Sequence, residues 1–168
     1  MTGRRSESPP AVRDRRGPTV ALVDTNVLLL VSRRRFPLAE LAESGRYGRL
    51  ELRIPEGVLR ELAALVRRGT PGARTAQLLA QRWPIVRHDG TGDDAIVAVA
   101  QHHRCAVVTN DRALAARLRH LGVDTLVPRG RTGLLWRFGE RPPTTPRPPR
   151  ARATVKNQPL VDSSEERR

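Results

Sequence analysis

Five carboxylates interrupt stretches that are otherwise apolar. Asp24 lies inside TVALVDTNVLLL, Glu61 in IPEGVLREL, Asp93 and Asp94 in TGDDAIVAVA, and Asp111 in VVTNDRAL. An ionised carboxylate enclosed by apolar side chains costs more than a small domain can spare unless something compensates it. Each acid taken singly has an ordinary use. Asp24, Asp93 and Asp111 suit the cap or first turn of a helix, where the backbone amides favour negative charge. Glu61 could pair with Arg60 or Arg68. Taken together at one place they would repel one another, and the cations that favour such oxygen-rich sites are hard divalent ions, Mg²⁺ and Mn²⁺.

Whether they meet depends on the elements that carry them. Val20 to Val23 reads as a strand between Pro18 and a polar triplet, and Asn26 to Arg33 as a helix. Leu38 to Glu43 is a second helical patch and Leu52 to Ile54 a second strand. Pro55 suits the first position of the next helix, whose Val58, Leu59, Leu62, Leu65 and Val66 form one apolar stripe. Gly72 to Arg82 is a further helix, PIVRH a third strand, and Gly92 to His103 a helix opened by acids. Cys105 to Val108 is a fourth strand, Asp111 to His120 a helix stopped at Gly122, and Thr125 to Val127 a fifth strand. Strands alternating with helices predict a parallel sheet covered on both faces, and the unbroken apolar runs VALV and AVV agree. In such a sheet Asp24 and Asp111 follow strands one and four, and Asp93 and Asp94 open the helix after strand three. Those acids therefore share the carboxyl edge, where open α/β sheets bind ligands. Glu61 lies about 40° from Leu65 around its helix, at the border of the apolar stripe, where it can lean toward the same edge.

Composition adds the partner. The chain carries 31 Lys and Arg against 17 Asp and Glu, for a net charge of +14. Lys156 is the only lysine, so the excess is arginine, whose planar fork matches phosphate. Nucleic acid is the natural partner, with backbone contacts expected from Arg33, Arg34 and Arg35 after the first helix. Arg117 and Arg119 on the last helix and Arg129 and Arg131 after the fifth strand are expected to contribute too. Residues 1–17 and 139–168 are rich in Pro, Arg and polar residues and are expected to form disordered arms around a domain at 18–138. Leu134, Leu135, Trp136 and Phe138 are expected to anchor the end of that domain. One cysteine, Cys105, excludes an internal disulfide and suits a reducing, cytoplasmic setting. No apolar run reaches the length of a membrane span, and the first residues lack the pattern of a secretory signal.

The motifs VALVDTNVLL, IPEGVLREL, GDDAIVAVA and VVTNDRAL, in this order and spacing, resemble the PIN-domain nucleases over about Thr19 to Val127. The resemblance implies a three-layer αβα sandwich around a five-stranded parallel sheet, and cleavage of RNA with Mg²⁺ or Mn²⁺. It implies Asp24 as the central ligand, Glu61 as a ligand directly or through water, and Asp94 and Asp111 as completing the set. Asn26 and Thr109 match positions that hydrogen-bond near the metals. The third acid is open between Asp94, favoured by its spacing to Ile96 and Ala98, and Asp93, otherwise an N-cap or outer-shell group. Within the family the sequence looks most similar to small-subunit rRNA-processing members, which implies an rRNA precursor as partner. The alternatives are the toxin of a toxin–antitoxin pair, with an antitoxin protein as partner, and a PIN fold that binds RNA without cutting it. A homodimer is implied by the family alone.

Other sites fit less well. HHRC at His102 to Cys105 lacks the second cysteine and the ligand spacing of structural zinc, and no glycine-rich phosphate cradle is present. A haloacid-dehalogenase-like phosphatase would need an acid where Asn26 stands, together with a lysine in the folded part. A receiver domain would also need such a lysine.

Overall fold

The computed structural model describes residues 18–140; the two arms, 1–17 and the greater part of 139–168, fall outside this range. In chain order the elements are β1 (Thr19–Val23), α1 (Thr25–Arg34), α2 (Leu38–Glu43), β2 (Leu50–Pro55), α3 (Glu56–Arg67) and α4 (Ala73–Ala80). They continue with β3 (Ile85–Val86), α5 (Gly92–His103), β4 (Ala106–Val108), α6 (Arg112–His120), β5 (Thr125–Arg129) and β6 (Gly133–Arg137). The sheet order is β3-β2-β1-β4-β5-β6. Every pairing is parallel except β5 with β6.

The central strands are enclosed because they are apolar on both faces. Ala21, Leu22, Val23, Val107 and Val108 are fully buried, as expected where helices cover both sides of a sheet. The chain winds outward from β1 through β2 to β3, then crosses back to β4 and winds outward to β5. With the usual right-handed crossovers, that reversal sends the helices before and after β3 to opposite faces. It also leaves β1 and β4 as neighbours whose connections depart in opposite directions, which opens a crevice beyond their carboxyl ends. Val23 is level with Val108, so Asp24 and Thr109 leave the sheet side by side.

Two details differ from the sequence expectations. The apolar segment after the fifth strand is a sixth strand rather than an anchor alone. Leu134 of β6 is buried, and Trp136 stacks on Phe138 with parallel rings 5.9 Å apart. The turn-forming Gly130 and the alternation in GLLWR permit the antiparallel hairpin, and the Tyr47 hydroxyl accepts the Leu134 N–H at 3.0 Å. The third strand, in contrast, is only two residues long, at the sheet edge.

The last described residues are tied to the end of α6 beside a close approach of two glycines. The Gly139 N–H donates to Asp124 at 2.9 Å, and the Glu140 N–H donates to the Arg119 carbonyl at 2.7 Å. A Cβ on Gly139 would lie 2.2 Å from the carbonyl carbon of Gly122, a backbone atom that cannot rotate away. Gly139→Ala should therefore destabilise the domain by about 1–3 kcal/mol, read as a lower midpoint of thermal unfolding. An unchanged midpoint would show that this segment does not seat against α6.

Candidate active site

Asp24 is 4% exposed, immediately beyond β1. It stands at the N-cap position of α1, yet its side chain makes no capping bond there, so capping does not account for it. One carboxylate oxygen, Oδ2, accepts the Thr109 hydroxyl at 2.9 Å, and the Thr25 amide supplies further compensation. The Thr109 hydroxyl in turn accepts the Asp111 N–H at 3.0 Å. Through this one side chain the end of β4 holds both aspartates. Asp111 is a true N-cap, its Oδ1 accepting the Leu114 N–H at 2.9 Å. That bond orients its carboxyl at the start of α6.

Glu61 comes from the second turn of α3. Its Oε2 accepts the Thr25 hydroxyl at 2.6 Å, not a bond from Arg60 or Arg68. Thr25 is buried and joins the Asp24 carboxylate, through its amide, to Glu61, through its hydroxyl, a role the sequence reading did not assign to it. The only sequence signal was a hydroxyl directly beside Asp24. Asn26, expected near the metals, is exposed on α1. Arg60 acts elsewhere: its Nη2 donates to the carbonyls of His88 at 3.2 Å and Gly90 at 2.6 Å. This ties α3 to the loop that leads into α5.

The two acids of α5 separate. Thr91 occupies the N-cap position, without a side-chain capping bond, so Asp93 is a first-turn residue and not the N-cap. The charges that bear on Asp24 are those of Glu61 and Asp93, and those that bear unfavourably on Asp93 include Asp111, Glu61 and Asp94. Asp94, one residue on and about 100° further round the helix, is 82% exposed and paired with Arg117 at 2.6 Å. Unfavourable charge interactions thus link Asp24 to Glu61 and Asp93, and Asp93 to Asp111, Glu61 and the outlying Asp94. Desolvation is the largest influence on both perturbed acids. Burial pushes the Asp24 carboxyl up to about 6 against the Thr109 and Thr25 hydrogen bonds, with Glu61 and Asp93 adding to the rise. Asp93 is raised by desolvation, then by Asp111 and Glu61, while Arg117 opposes the rise.

As these side chains stand, no three acids, histidines or cysteines among the described residues converge on a single metal position. The donor chemistry nevertheless suits a hard divalent cation: four carboxylates of mutually unfavourable charge, with two threonine hydroxyls beside them, and no sulfur or imidazole. A cleft of about 520 Å³ opens elsewhere, at the amino edge of the sheet between Thr19, Cys105, Leu121 and Asp124. It lacks the coupled acids.

The arginines divide by position. Arg33 to Arg35 lie at the far end of α1, about 15 Å along the helix from Asp24, and Arg33 Nε donates to the Pro71 carbonyl at 2.8 Å. Arg119 is half-buried on α6, while Arg129 and Arg131 are exposed at the carboxyl end of β5 and in the following turn. Arg117 reaches the start of α5.

Residues 21–131 match the sequence profile of the PIN-like domain. Ribonuclease VapC9 of Archaeoglobus fulgidus is 29% identical over 107 residues, covering 61% of this chain and 78% of that protein. The PIN domain endonuclease Utp24 superposes with a TM-score of 0.62 at 26% identity, over 73% of this chain and 95% of that one. A domain of a functionally unknown protein from Methanocaldococcus jannaschii has the same fold, with a TM-score of 0.53 at 16% identity over 70% and 96% of the two chains.

The raised Asp24 carboxyl sets a sign for stability. Its ordinary value is 3.8 and its folded value about 6, so the fold favours the protonated acid. That contribution is complete below about pH 4 and is lost as pH rises through 6, on the order of 3 kcal/mol. The metal-free protein should therefore lose stability over this window relative to Asp24→Asn, measured by urea unfolding in chelator. Parallel pH profiles for the two proteins would contradict a strained, buried Asp24.

Proposed function

The chain belongs to the PIN-like domain family, and from that premise we propose that it is a divalent-metal-dependent endoribonuclease. The observation that carries this reading is the coupling of Asp24, Glu61, Asp93 and Asp111 at the crevice where β1 and β4 part. Helix capping accounts for Asp111 but not for Asp24 or Glu61, and the repulsion of such acids is relieved by a cation that an RNA phosphate can then approach.

Asp24, Glu61, Asp93 and Asp111 would hold the ion, Mg²⁺ or Mn²⁺, with Asp93 rather than Asp94 as the third acid. Such an ion, when bound, neutralises phosphate charge and makes water a better nucleophile. The protein's own groups set the stage for it. Thr109 fixes one Asp24 oxygen, Thr25 steadies Glu61, and the Leu114 amide of α6 orients Asp111. Arg129 and Arg131 hold the RNA backbone without reading its sequence. Hydrolysis leaves a 5′-phosphate and a 3′-hydroxyl. Asn26 is left as a group that meets the substrate from the exposed side of α1.

The substrate is a structured RNA, and maturation of an rRNA precursor in the cytoplasm fits best. The similarity to Utp24 spans nearly all of that chain, and the arginine-rich arms favour a ribonucleoprotein. The relative VapC9 favours a second reading, a toxin held by an antitoxin. Growth arrest on expression, relieved by the product of an adjacent reading frame, would select the toxin. No helix among the described residues is long and apolar enough to cross a membrane. A homodimer is proposed on family grounds.

Purified protein should cut structured RNA with Mn²⁺ and stop when chelator is added. Partners of metal ligands typically contribute up to about 100-fold, so loss of the ligand itself in Asp24→Asn should exceed that while leaving the fold intact. Equal cleavage by the two proteins would place the activity elsewhere. Asp93→Asn should abolish Mn²⁺ binding in a titration followed by electron paramagnetic resonance; retained binding would remove Asp93 from the ligand set.

A further inference from the structure

Asp94 and Arg117 stand at the border of the coupled acids without belonging to them. Asp94 turns away from the crevice and meets Arg117 Nη2 through Oδ1 at 2.6 Å. Arg117 comes from the second turn of α6, the helix that Asp111 caps. Its side chain is half exposed, and its charge acts favourably on Asp93. An ion pair this exposed contributes less than about 1 kcal/mol to folding. Its effect is on geometry, since it holds a planar cation at the edge of an acidic crevice. One carboxylate engages at most two of the five N–H donors of a guanidinium, so the rest of the fork is presented to whatever approaches the rim. Side chains on a helix lean toward its N-terminus, which for Arg117 is toward Asp111.

We propose that Arg117, braced by Asp94, binds the RNA phosphate adjacent to the one that reaches the acidic crevice, and that Asp94 positions this arginine instead of holding the metal ion. The inference rests on the endoribonuclease reading and adds a residue that sets the register of the strand. A guanidinium suits the task because its paired N–H groups match two phosphate oxygens at once. A positive charge beside the metal position also weakens cation binding slightly, so Arg117 acts in opposite directions on the two ligands.

That opposition separates the proposal from a merely structural role. RNA binding is measured by fluorescence anisotropy with a short fluorescein-labelled single-stranded RNA in chelator, where no cleavage occurs, and Mn²⁺ binding by paramagnetic resonance titration without RNA. Arg117→Ala should weaken RNA binding roughly tenfold, equivalent to ~1.4 kcal/mol, and leave Mn²⁺ affinity equal or higher. Arg117→Lys should fall between, because it keeps the charge and loses the fork. Asp94→Asn should weaken RNA binding severalfold with Mn²⁺ affinity retained. The proposal is overturned if Arg117→Ala binds RNA like the wild type, if it loses Mn²⁺ and RNA together, or if Asp94→Asn abolishes Mn²⁺ binding. Because the RNA measurement needs no catalysis, a protein that bound through Arg117 but never cut would overturn the nuclease reading alone.

Discussion

Asp24 is a carboxylate almost wholly removed from water, compensated by a threonine hydroxyl and a backbone amide but by no arginine. A domain with so many arginines could have paired it. Neutral donors moderate the cost of burial without cancelling the charge, and the remaining imbalance is shared with Glu61 and Asp93. The apo protein is therefore poised: Asp24 and Asp93 favour protonation, or a cation, more than ordinary surface acids do. That condition gives the sheet edge its capacity for chemistry, and it depends on holding the charges near one another without letting them pair.

Three small devices maintain it. The side-by-side exit of Asp24 and Thr109 follows from the parallel register of β1 and β4, so the hydroxyl that steadies the aspartate comes from residues distant in sequence but level in the sheet. Thr25 carries the same influence to α3 through Glu61. Arg60 clasps the carbonyls of the loop before α5 and so holds the end from which Asp93 projects; Gly90 allows that loop to lie close, since a Cβ there would meet the His88 ring at 2.9 Å. Each is a polar bond at the end of an apolar element. The core supplies rigidity, and the polar bonds at its rim supply aim.

The basic character of the chain is uneven at this rim. The arginines that end α1 lie at the opposite end of that helix from Asp24, and Arg33 is occupied by the Pro71 carbonyl. Helix direction explains the separation, because α1 begins at the acid edge and runs away from it. Charge at the crevice itself is predominantly negative, bordered by Arg117. A polyanion is attracted over the whole surface, but close approach of a phosphate to the acids requires their neutralisation. Net charge promotes association, and the local reversal of charge makes the final approach cation-dependent.

The sequence by itself determined the alternation of strands and helices, most element boundaries, and the edge at which the acids gather. Those follow from apolar periodicity and from where polar residues interrupt it, both of which are local. The sixth strand was less legible, because GLLWR alternates too briefly to distinguish a strand from an apolar anchor and needed β5 as its template. The choice between Asp93 and Asp94 could not be read at all. Adjacent helix positions differ by about 100° in direction, and which of them faces the crevice depends on how α5 is rotated against β4 and α3. Tertiary structure alone decided that Thr25 would hold Glu61, that Arg60 would clasp the loop before α5, and that Asp94 would meet Arg117. In each case the partners are brought together by packing across the sheet, at separations where local sequence carries no record of direction.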